Sequence, residues 1–408
     1  MKRFFVISFL SLAALIPTAS NVTSTVKAGK QRTSPQFVRG RLLVKFKANI
    51  DSLHAQQVIA ALGARHETEI QGAGVQVVAL PDQASEQAFA HAFQSRPEVE
   101  FAETDSLLKP QQISPNDPLY PAWYLEKIDA PNAWTITTGS SNVVIAVLDT
   151  GIDGTHPDLA AKLVPGWNIY NNNDDTRDVY GHGTPVAGVA GASSNNGIGV
   201  ASVAWGCGLM PVRVSDFSGM APASTIASGL SWAADHGARI ANISYYVTGN
   251  KTISSAAKYF QSKGGVVVAG AGNYGTTETI QDDPYIVTVG ATDPQDVIYY
   301  YSNRGNNLDL VAPGNNTTTL IGGLYGAGGG TSFAAPVVSG VAALMFSVNP
   351  SLTPTDVVDL LKANADDLGP VGWDITYGSG RVNAARAVAA AANWTGVVQG
   401  PPRQKRPR

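Results

Sequence analysis

The sequence predicts an α/β protein whose main part is a three-layer domain with a mostly parallel sheet. Segments rich in valine and isoleucine that do not alternate with polar residues are typical of parallel strands buried on both faces. Such segments occupy residues 143–148, 209–214, 240–243, 266–269 and 286–289. Helical patterns fall between them at residues 184–192, 224–236 and 254–263, and these helices can cover both faces of the sheet.

A smaller unit precedes this domain. Strand-like and helical segments alternate through it and predict a small α+β domain. The strands are expected at residues 41–46, 75–80 and 99–103, and the helices at residues 55–62 and 86–94. The polar, proline-containing connector KPQQISPNDPLYP then separates the two units. We therefore place the small domain at residues 36–110 and the large domain at residues 115–394.

The chain begins with the layout of a secretory signal peptide. Lys2 and Arg3 precede an apolar run at residues 4–16, and small and polar residues follow it. Because that run is too short to span a membrane, we expect a signal peptide over about residues 1–28, a secreted protein and no stable membrane anchor. The last segment, residues 395–408, is basic and rich in proline. It is either a disordered end or a tether to an anionic surface.

Charge and cysteine content exclude some classes of function. The chain of 408 residues carries a formal net charge of −3, which argues against a protein that binds nucleic acid electrostatically. The single cysteine, Cys207, excludes an intramolecular disulfide. It is either a small buried residue or a reactive thiol. An exported protein of this composition must hold its fold by packing and, where one binds, by a metal ion.

A glycine-rich stretch, VVVAGAGNYG at residues 266–275, matches the G-x-G-x-x-G pattern of dinucleotide-binding loops. In that class of site a helix begins at the loop, so that its N-terminal amides bind the pyrophosphate. Here the residues that follow, TTETIQDDP, are polar, lack a helical period and end in proline. The sequence therefore disfavours a nucleotide site and indicates a backbone turn that comes close to some other bound group.

Three residues indicate chemistry at the carboxyl ends of the strands, where ligands of parallel sheets gather. Asp149 follows the strand at residues 143–148, and alone it could bind a metal, cap a helix or orient a base. His182 lies between glycines at a helix start and is the best candidate for a base. Ser332 follows a glycine run at the start of an apolar helix, where it is either an ordinary helix cap or a nucleophile.

Together the motifs around these residues resemble those of the subtilisin-like serine proteases, the subtilases. The chain has VLDTGID around Asp149, GHGTPVAG around His182 and GTSFAAPVVSG around Ser332, in the chain order of the subtilisin triad. The resemblance spans roughly residues 115–392, and the segment YGSGRVNA near its end also resembles the family. It implies a three-layer subtilisin-like domain that acts as a serine endopeptidase.

The resemblance also implies a role for each residue. Ser332 would be the nucleophile, His182 the base, and Asp149 the residue that orients the base. Asn273, in the family motif A-G-N-x-G, would donate to the oxyanion beside the amide of Ser332. In subtilisin the loss of that asparagine donor costs roughly 10²–10³ in rate, so we expect Asn273→Ala to have a similar effect.

The small N-terminal domain resembles the propeptides of this family. It would assist folding, inhibit its own chain by placing its tail in the active-site groove, and be removed by a cut between Leu107 and Pro115. The enzyme would thus be made as a zymogen. Its partners would be its own propeptide and polypeptide substrates, without nucleic acid, and we expect a monomer.

Substrate peptides in this family bind as an added strand between two segments of the enzyme. By resemblance these segments consist of Ser218, Gly219, Met220 and Ala221, and of Ser244, Tyr245, Tyr246 and Val247. Where the family usually has glycines, this chain has Tyr246 and Val247, which we expect to narrow or reshape the pocket for the residue before the scissile bond. Pro185 and Phe333 replace the common histidine and methionine beside the catalytic residues.

Hard oxygen donors predict a structural calcium site at the loop of residues 194–200. By resemblance to the family, its ligands would be Asp117, Asp158, Ser194, Asn196, Ile198 and Val200. The alternative is a plain Asn-Gly turn. A second acidic loop, at residues 173–178, is either another ion site or a solvated loop.

Two other functions fit the same sequence. One is a binding protein that kept the fold without turnover, which the presence of Asp149, His182, Asn273 and Ser332 disfavours. The other is transfer of the acyl group to an amine instead of water, since an acyl-enzyme can react with either nucleophile. Analysis of the products separates hydrolysis from transfer.

Overall fold

The computed structural model describes residues 37–107 and 113–396. The predicted signal peptide and most of the predicted basic tail therefore lie outside the described residues, as does part of the segment where the propeptide cut is predicted. The chain divides into two compact units, Met1–Lys109 and Pro110–Arg408.

The N-terminal unit contains an antiparallel sheet of four strands and two helices. Its elements are β1 (Phe37–Phe46), α1 (Ser52–Ala61), β2 (Arg65–Ile70), β3 (Val75–Ala79), α2 (Glu86–Gln94) and β4 (Val99–Ser106). The strand order is β2-β3-β1-β4, and the core includes the buried side chains of Leu42, Val44 and Phe93. The sequence pattern does not predict β2, because RHETEI is polar and largely exposed at the sheet edge. Backbone pairing with β3, rather than an apolar face, forms that strand.

The second unit is built around a larger sheet. The strands of this unit are β5 (Val144–Asp149), β6 (Trp167–Asn168), β7 (Gly208–Arg213), β8 (Ile240–Ile243), β9 (Val266–Gly270), β10 (Thr277–Glu278), β11 (Ile286–Thr292), β12 (Arg304–Gly305), β13 (Leu310–Pro313), β14 (Asn315–Leu320) and β15 (Leu324–Gly329). Seven of them form one sheet in the order β13-β11-β9-β8-β5-β7-β6. Every pair in that sheet is parallel.

Helices cover both faces of this sheet. They are α3 (Trp123–Lys127), α4 (Ala130–Trp134), α5 (Gly183–Gly191), α6 (Ala223–Asp235), α7 (Lys251–Ser262), α8 (Thr331–Val348), α9 (Pro354–Ala363) and α10 (Ala384–Ala392), with a 3₁₀ turn at Ala160–Lys162. One core cluster packs α5, α8 and α10 against the sheet, and another packs α6 and α7. The prediction of a three-layer α/β domain with a parallel sheet is confirmed.

Helix α8 is the central helix of this unit. All of its residues are buried except Ser332 and the last two. It is long and apolar enough to cross a membrane, but 83% of its apolar window is buried inside the fold, as in the core helix of a globular domain. Within that core the Ser339 hydroxyl donates a hydrogen bond to Asn242 Oδ1 on β8 at 2.9 Å. Packing therefore fixes the start of α8 beside the carboxyl ends of the strands.

The predicted elements of the large sheet lie within a few residues of their predicted bounds. The edge strand β6 is not predicted because two residues are too few to show a pattern, and β13 is not predicted because it ends in proline, which disfavours a strand. Cys207 is 1% exposed, and burial raises the pKa of its thiol. It is therefore a small buried residue, not a reactive thiol.

Candidate active site

Asp149 is the last residue of β5, a central strand of the parallel sheet. Its side chain is fully buried, and its Oδ1 accepts a hydrogen bond from the Thr150 amide at 2.8 Å. The same oxygen lies 2.8 Å from Nδ1 of His182. A buried carboxylate in this position favours the tautomer with a proton on Nδ1, which leaves Nε2 free to act as a base.

His182 reaches Asp149 because it immediately precedes α5 at a turn built from glycines. Gly181 has a left-handed φ of +97°. A Cβ on Gly183 would lie only 2.0 Å from the carbonyl oxygen of Gly151. The close approach of these two backbone segments brings the histidine to the end of β5, and a side chain at position 183 would push them apart.

Opposing effects set the pKa of His182. Burial lowers it, but the charge of Asp149, the hydrogen bond to that residue and the charge of Asp178 together raise it more. The pKa therefore lies above its usual value of 6.5. The side chain still exposes 27% of its surface, so the ring remains accessible to a bound peptide.

Asp178 is a positioning residue that the motifs do not reveal. Its Oδ1 accepts hydrogen bonds from the Thr150 hydroxyl at 2.7 Å and the Gly181 amide at 2.8 Å. Its Oδ2 accepts from the amide and hydroxyl of Thr184, at 2.8 and 2.6 Å. One carboxylate thus caps α5 and ties it to the turn after β5. The signal in the sequence is an acid shortly before a helix start, where a negative charge is favoured.

Ser332 is the second residue of α8, and Gly330, with a φ of +122°, is the N-cap. The interpretation of Ser332 as an ordinary helix cap is therefore wrong. Its hydroxyl donates to the Ser244 carbonyl at 3.2 Å, and the Ser244 hydroxyl donates to the Ser332 carbonyl at 2.8 Å. Among the described residues the Ser332 hydroxyl makes no hydrogen bond to His182. Catalytic contacts of this kind commonly tighten only when substrate binds.

Asn273 follows β9, the strand next to β8. Its Oδ1 accepts hydrogen bonds from the Thr331 amide at 2.9 Å and the Thr331 hydroxyl at 3.0 Å. Because the oxygen is held this way, the Nδ2 donor remains available beside the start of α8. Gly272 adopts a φ of +103°, and the short strand β10, not a helix, follows the turn. The turn therefore lacks the helix start that a dinucleotide loop needs.

The two predicted substrate segments lie next to each other. The Tyr245 hydroxyl donates to the Gly219 carbonyl at 3.1 Å and joins them. The Ser218 amide and hydroxyl both donate to one carboxylate oxygen of Asp216, at 2.9 and 2.6 Å. Met220 exposes 74% of its surface in the same segment. The first segment is thus fixed at Ser218 and exposes an apolar side chain at Met220.

Pro185 and Phe333, beside the predicted catalytic residues, are accommodated locally. The Phe333 ring packs edge-on against the His182 ring, with the centroids 5.9 Å apart. It fills the space beside Gly328, where a Cβ would lie 1.9 Å from the ring. Pro185 is the third residue of α5, where a backbone N–H has no partner within the helix. Neither substitution disturbs the contact between His182 and Asp149.

The predicted calcium ligands converge on the loop of residues 194–200. Asp117 accepts hydrogen bonds from the amides of Asn195 and Asn196 at 2.7 and 3.1 Å. Asp158 accepts from the Asn196 side-chain amide at 2.9 Å and the Val200 amide at 3.1 Å. Both carboxylates are buried. In the part of the chain that the structure describes, no three histidine, cysteine or acidic side chains group as metal ligands.

These residues fit calcium only if backbone carbonyls complete the ligand set. Two buried carboxylates place negative charge at one point, and carbonyl oxygens of the loop would supply the rest. Alternate residues of the loop, Asn195, Gly197 and Gly199, have positive φ, so the loop curls around Asp158. Asn196 would bind through Oδ1, and its side-chain amide would have to turn, because Nδ2 faces Asp158 here.

The second acidic loop has internal partners. Asp175 accepts hydrogen bonds from Arg177 at 2.8 and 2.9 Å, and Arg213 lies 3.9 Å away. The side-chain hydrogen bonds from Arg177 are the largest of the effects that lower the pKa of Asp175 to about 2. Because arginines already neutralise its carboxylate, the geometry favours the solvated loop over a second ion site.

Comparison with known proteins adds two family matches. The model of the subtilase family matches residues 140–380, more than half of the chain. A model of the fervidolysin N-terminal prodomain matches residues 23–105.

Individual proteins are similar over most of the chain. A thermophilic serine proteinase of Bacillus sp. strain AK1 is 33% identical over 370 residues, which cover 86% of this chain and 88% of that protein. Thermitase of Thermoactinomyces vulgaris is 38% identical over 282 residues, 67% of this chain and 99% of thermitase. The solved structure of a protease from Pseudoalteromonas arctica superimposes with a TM-score of 0.61 and 31% identity, over 68% of this chain and 100% of that one.

Replacing Asp149 with asparagine is expected to lower the pKa of His182. The change removes the charge of Asp149, while burial, the largest effect on this pKa, outweighs the remaining charge of Asp178, so the value should fall below 6.5. Titration of the imidazole signals by NMR measures the shift. Asp235→Asn serves as the control, because Asp235 is a carboxylate that does not contribute to the pKa of His182. An unchanged pKa in Asp149→Asn would contradict the electrostatic account of the site.

Proposed function

This chain belongs to the subtilase family and is a serine endopeptidase with an N-terminal prodomain, and we propose that Asp149, His182 and Ser332 form its catalytic triad. The observation that carries the proposal is the 2.8 Å contact between His182 Nδ1 and the buried Asp149 Oδ1. That contact supports Nε2 as the base. The His182 ring also packs on Phe333, the chain neighbour of Ser332, so base and nucleophile belong to one site.

The proposed reaction begins at the Ser332 hydroxyl. The hydroxyl gives up its hydrogen bond to the Ser244 carbonyl and transfers its proton to Nε2 of His182. Its Oγ then attacks the scissile carbonyl carbon. Asp149 stabilises the imidazolium, while the Ser332 amide and Asn273 Nδ2 donate to the oxyanion. His182 returns the proton to the leaving amine, and an acyl-enzyme forms. Water, activated by the same histidine, then hydrolyses the acyl-enzyme.

We propose that the enzyme is a secreted zymogen that processes itself. The match of residues 23–105 to a prodomain supports an inhibitory N-terminal segment. A cut between Leu107 and Pro115 would release it. The N-terminal layout, with Lys2 and Arg3 before an apolar run, supports export.

We propose calcium as a structural cofactor, bound by Asp117, Asp158 and the carbonyl oxygens of the loop. The ion would neutralise two buried carboxylates and hold the loop of residues 194–200 closed. It has no step in catalysis.

Ser332→Ala is expected to abolish both processing and proteolysis, because the alanine has no nucleophile. Wild-type and variant full-length chains are compared by mass spectrometry and with casein as substrate. The wild type should release a fragment ending between residues 107 and 115 and degrade casein, and the variant should do neither. Ser231→Ala, on α6, is the matched control and should behave as the wild type. Equal behaviour of Ser332→Ala and the wild type would refute the triad, and ligated products would show acyl transfer.

Asn273→Ala is expected to lower kcat by roughly 10²–10³ and to change KM little, since the lost donor acts on the oxyanion and not on the bound substrate. Steady-state kinetics with a peptide substrate measures both constants. Asn273→Asp is the second variant, because it keeps the Oδ1 acceptor for Thr331 but loses the Nδ2 donor. A kcat in either variant within about threefold of the wild type would contradict the assignment of this residue to the oxyanion site.

Removal of calcium is expected to lower the thermal unfolding midpoint. Binding at about 100 times Kd adds roughly 2.7 kcal/mol to the folded state, and chelation removes that contribution. The midpoint is measured on Ser332→Ala protein, so that self-digestion does not interfere, with and without chelator. Asp117→Asn should reduce the effect of the chelator, whereas Asp216→Asn, outside this loop, should retain it. A midpoint that chelator leaves unchanged would argue for the plain turn.

A further inference from the structure

A gap between two backbone segments lies beside the proposed nucleophile. Residues 244–247 follow β8 and residues 271–275 follow β9, the neighbouring parallel strand. Ser332 is hydrogen-bonded to Ser244 in the first segment, and Asn273 belongs to the second segment. A carbonyl carbon attacked by Ser332, with its oxygen toward Asn273, therefore carries its side chain into the gap between these segments.

The ring of Tyr246 crosses this gap. Its Cδ2 would lie 2.7 Å from a Cβ on Gly272, so the ring rests directly on the opposite backbone. It also packs edge-on against the ring of Tyr274, with the centroids 5.5 Å apart. Tyr246, which is 41% exposed, thus spans from one segment to the other and contacts Tyr274, which is 70% exposed.

Hydrogen bonds hold the ring in that position. The Tyr246 hydroxyl donates to Glu278 Oε1 at 3.2 Å. The same oxygen accepts from Asn303 Nδ2 at 2.9 Å and from the Thr276 hydroxyl at 3.1 Å. Asn303 is buried, and its Oδ1 accepts from the Tyr274 amide at 2.9 Å. Glu278, which accepts from the Tyr246 hydroxyl, is therefore part of a fixed network. The Tyr246 ring is held by this hydrogen bond and by its contact with the backbone at Gly272.

We infer that Tyr246 fills the space that would otherwise receive the side chain before the scissile bond, so that the enzyme cleaves after small residues such as glycine, alanine and serine. This inference rests on the proposed function, because it takes Ser332 as the nucleophile. A large side chain in the gap would have to displace the ring from Gly272 and break its hydrogen bond to Glu278.

The expected discrimination is large. One added or missing methylene group in a fitted pocket changes kcat/KM by about 10–200-fold. The side chain of phenylalanine is larger than that of alanine by much more than one methylene group. We expect alanine to be preferred over phenylalanine at this position by at least about 100-fold in kcat/KM.

The test is a series of substrates that differ only in this residue. The mature enzyme is assayed with succinyl-Ala-Ala-Pro-X p-nitroanilides in which X is glycine, alanine, leucine, phenylalanine or lysine, and active sites are titrated so that rates refer to active enzyme. The wild type should favour glycine and alanine. Tyr246→Gly should raise the ratio of phenylalanine to alanine cleavage by about 100-fold. A general loss of structure would lower all rates together and leave this ratio unchanged.

Two further variants sharpen the test. Tyr246→Phe keeps the ring volume and removes only the hydroxyl, so it should retain the preference for alanine over phenylalanine. Tyr300→Ala removes a tyrosine that is 85% exposed and should leave the ratio as in the wild type. If Tyr246→Gly does not fold, the wild-type and Tyr246→Phe profiles still decide between a filled and an open gap.

Several results would overturn the inference. Equal cleavage after phenylalanine and alanine by the wild type would show an open pocket. A preference for lysine would show that Tyr246 swings aside and that Glu278 recognises the substrate. Loss of selectivity in Tyr246→Phe equal to that in Tyr246→Gly would show that ring volume is not decisive. If the wild type hydrolyses none of the peptides and equals Ser332→Ala, the proposed function fails as well.

Discussion

The position of the site depends on one apolar helix packed across a parallel sheet. Because α8 is buried almost throughout, its first turn cannot move without opening the core. Polar residues from two neighbouring strand ends then attach to that turn, Ser244 to Ser332 and Asn273 to Thr331. Apolar burial thus supplies the rigidity, and the hydrogen bonds set the orientation of the groups. The same strand ends also carry Tyr246 and Tyr274, whose rings contact each other between the two segments.

Electrostatics adds a second layer to this framework. His182 is partly removed from water, which disfavours its charged form, yet two carboxylates counter that effect. Asp149 does so by direct contact, and Asp178 does so while its oxygens bind the turns around α5. Asp178, which organises the backbone, therefore also raises the pKa of His182. The side chain of Asp178 thus links the backbone around α5 to the proton affinity of His182.

Much of this could be predicted from the sequence, for identifiable reasons. Long apolar strands and the motifs around Asp149, His182 and Ser332 are local patterns, and the predicted fold class and family are confirmed. Short edge strands such as β6 have no pattern to detect. Contacts between residues far apart in the chain also cannot be predicted from local patterns. No local signal shows that the Ser332 hydroxyl faces Ser244, or that the Tyr246 ring lies on Gly272 instead of pointing to solvent.

The buried hydrogen bond between Ser339 and Asn242 has a consequence for helix register. Apolar packing already resists sliding of α8 along the sheet, because nearly all of its residues are buried, and this hydrogen bond adds a polar constraint. A slip of one residue moves each position by about 1.5 Å and rotates it by roughly 100°. It would also leave Asn242 Oδ1 buried without its partner, at a cost of about 1–3 kcal/mol. Together with the apolar packing, this pair therefore keeps Ser332 beside Ser244.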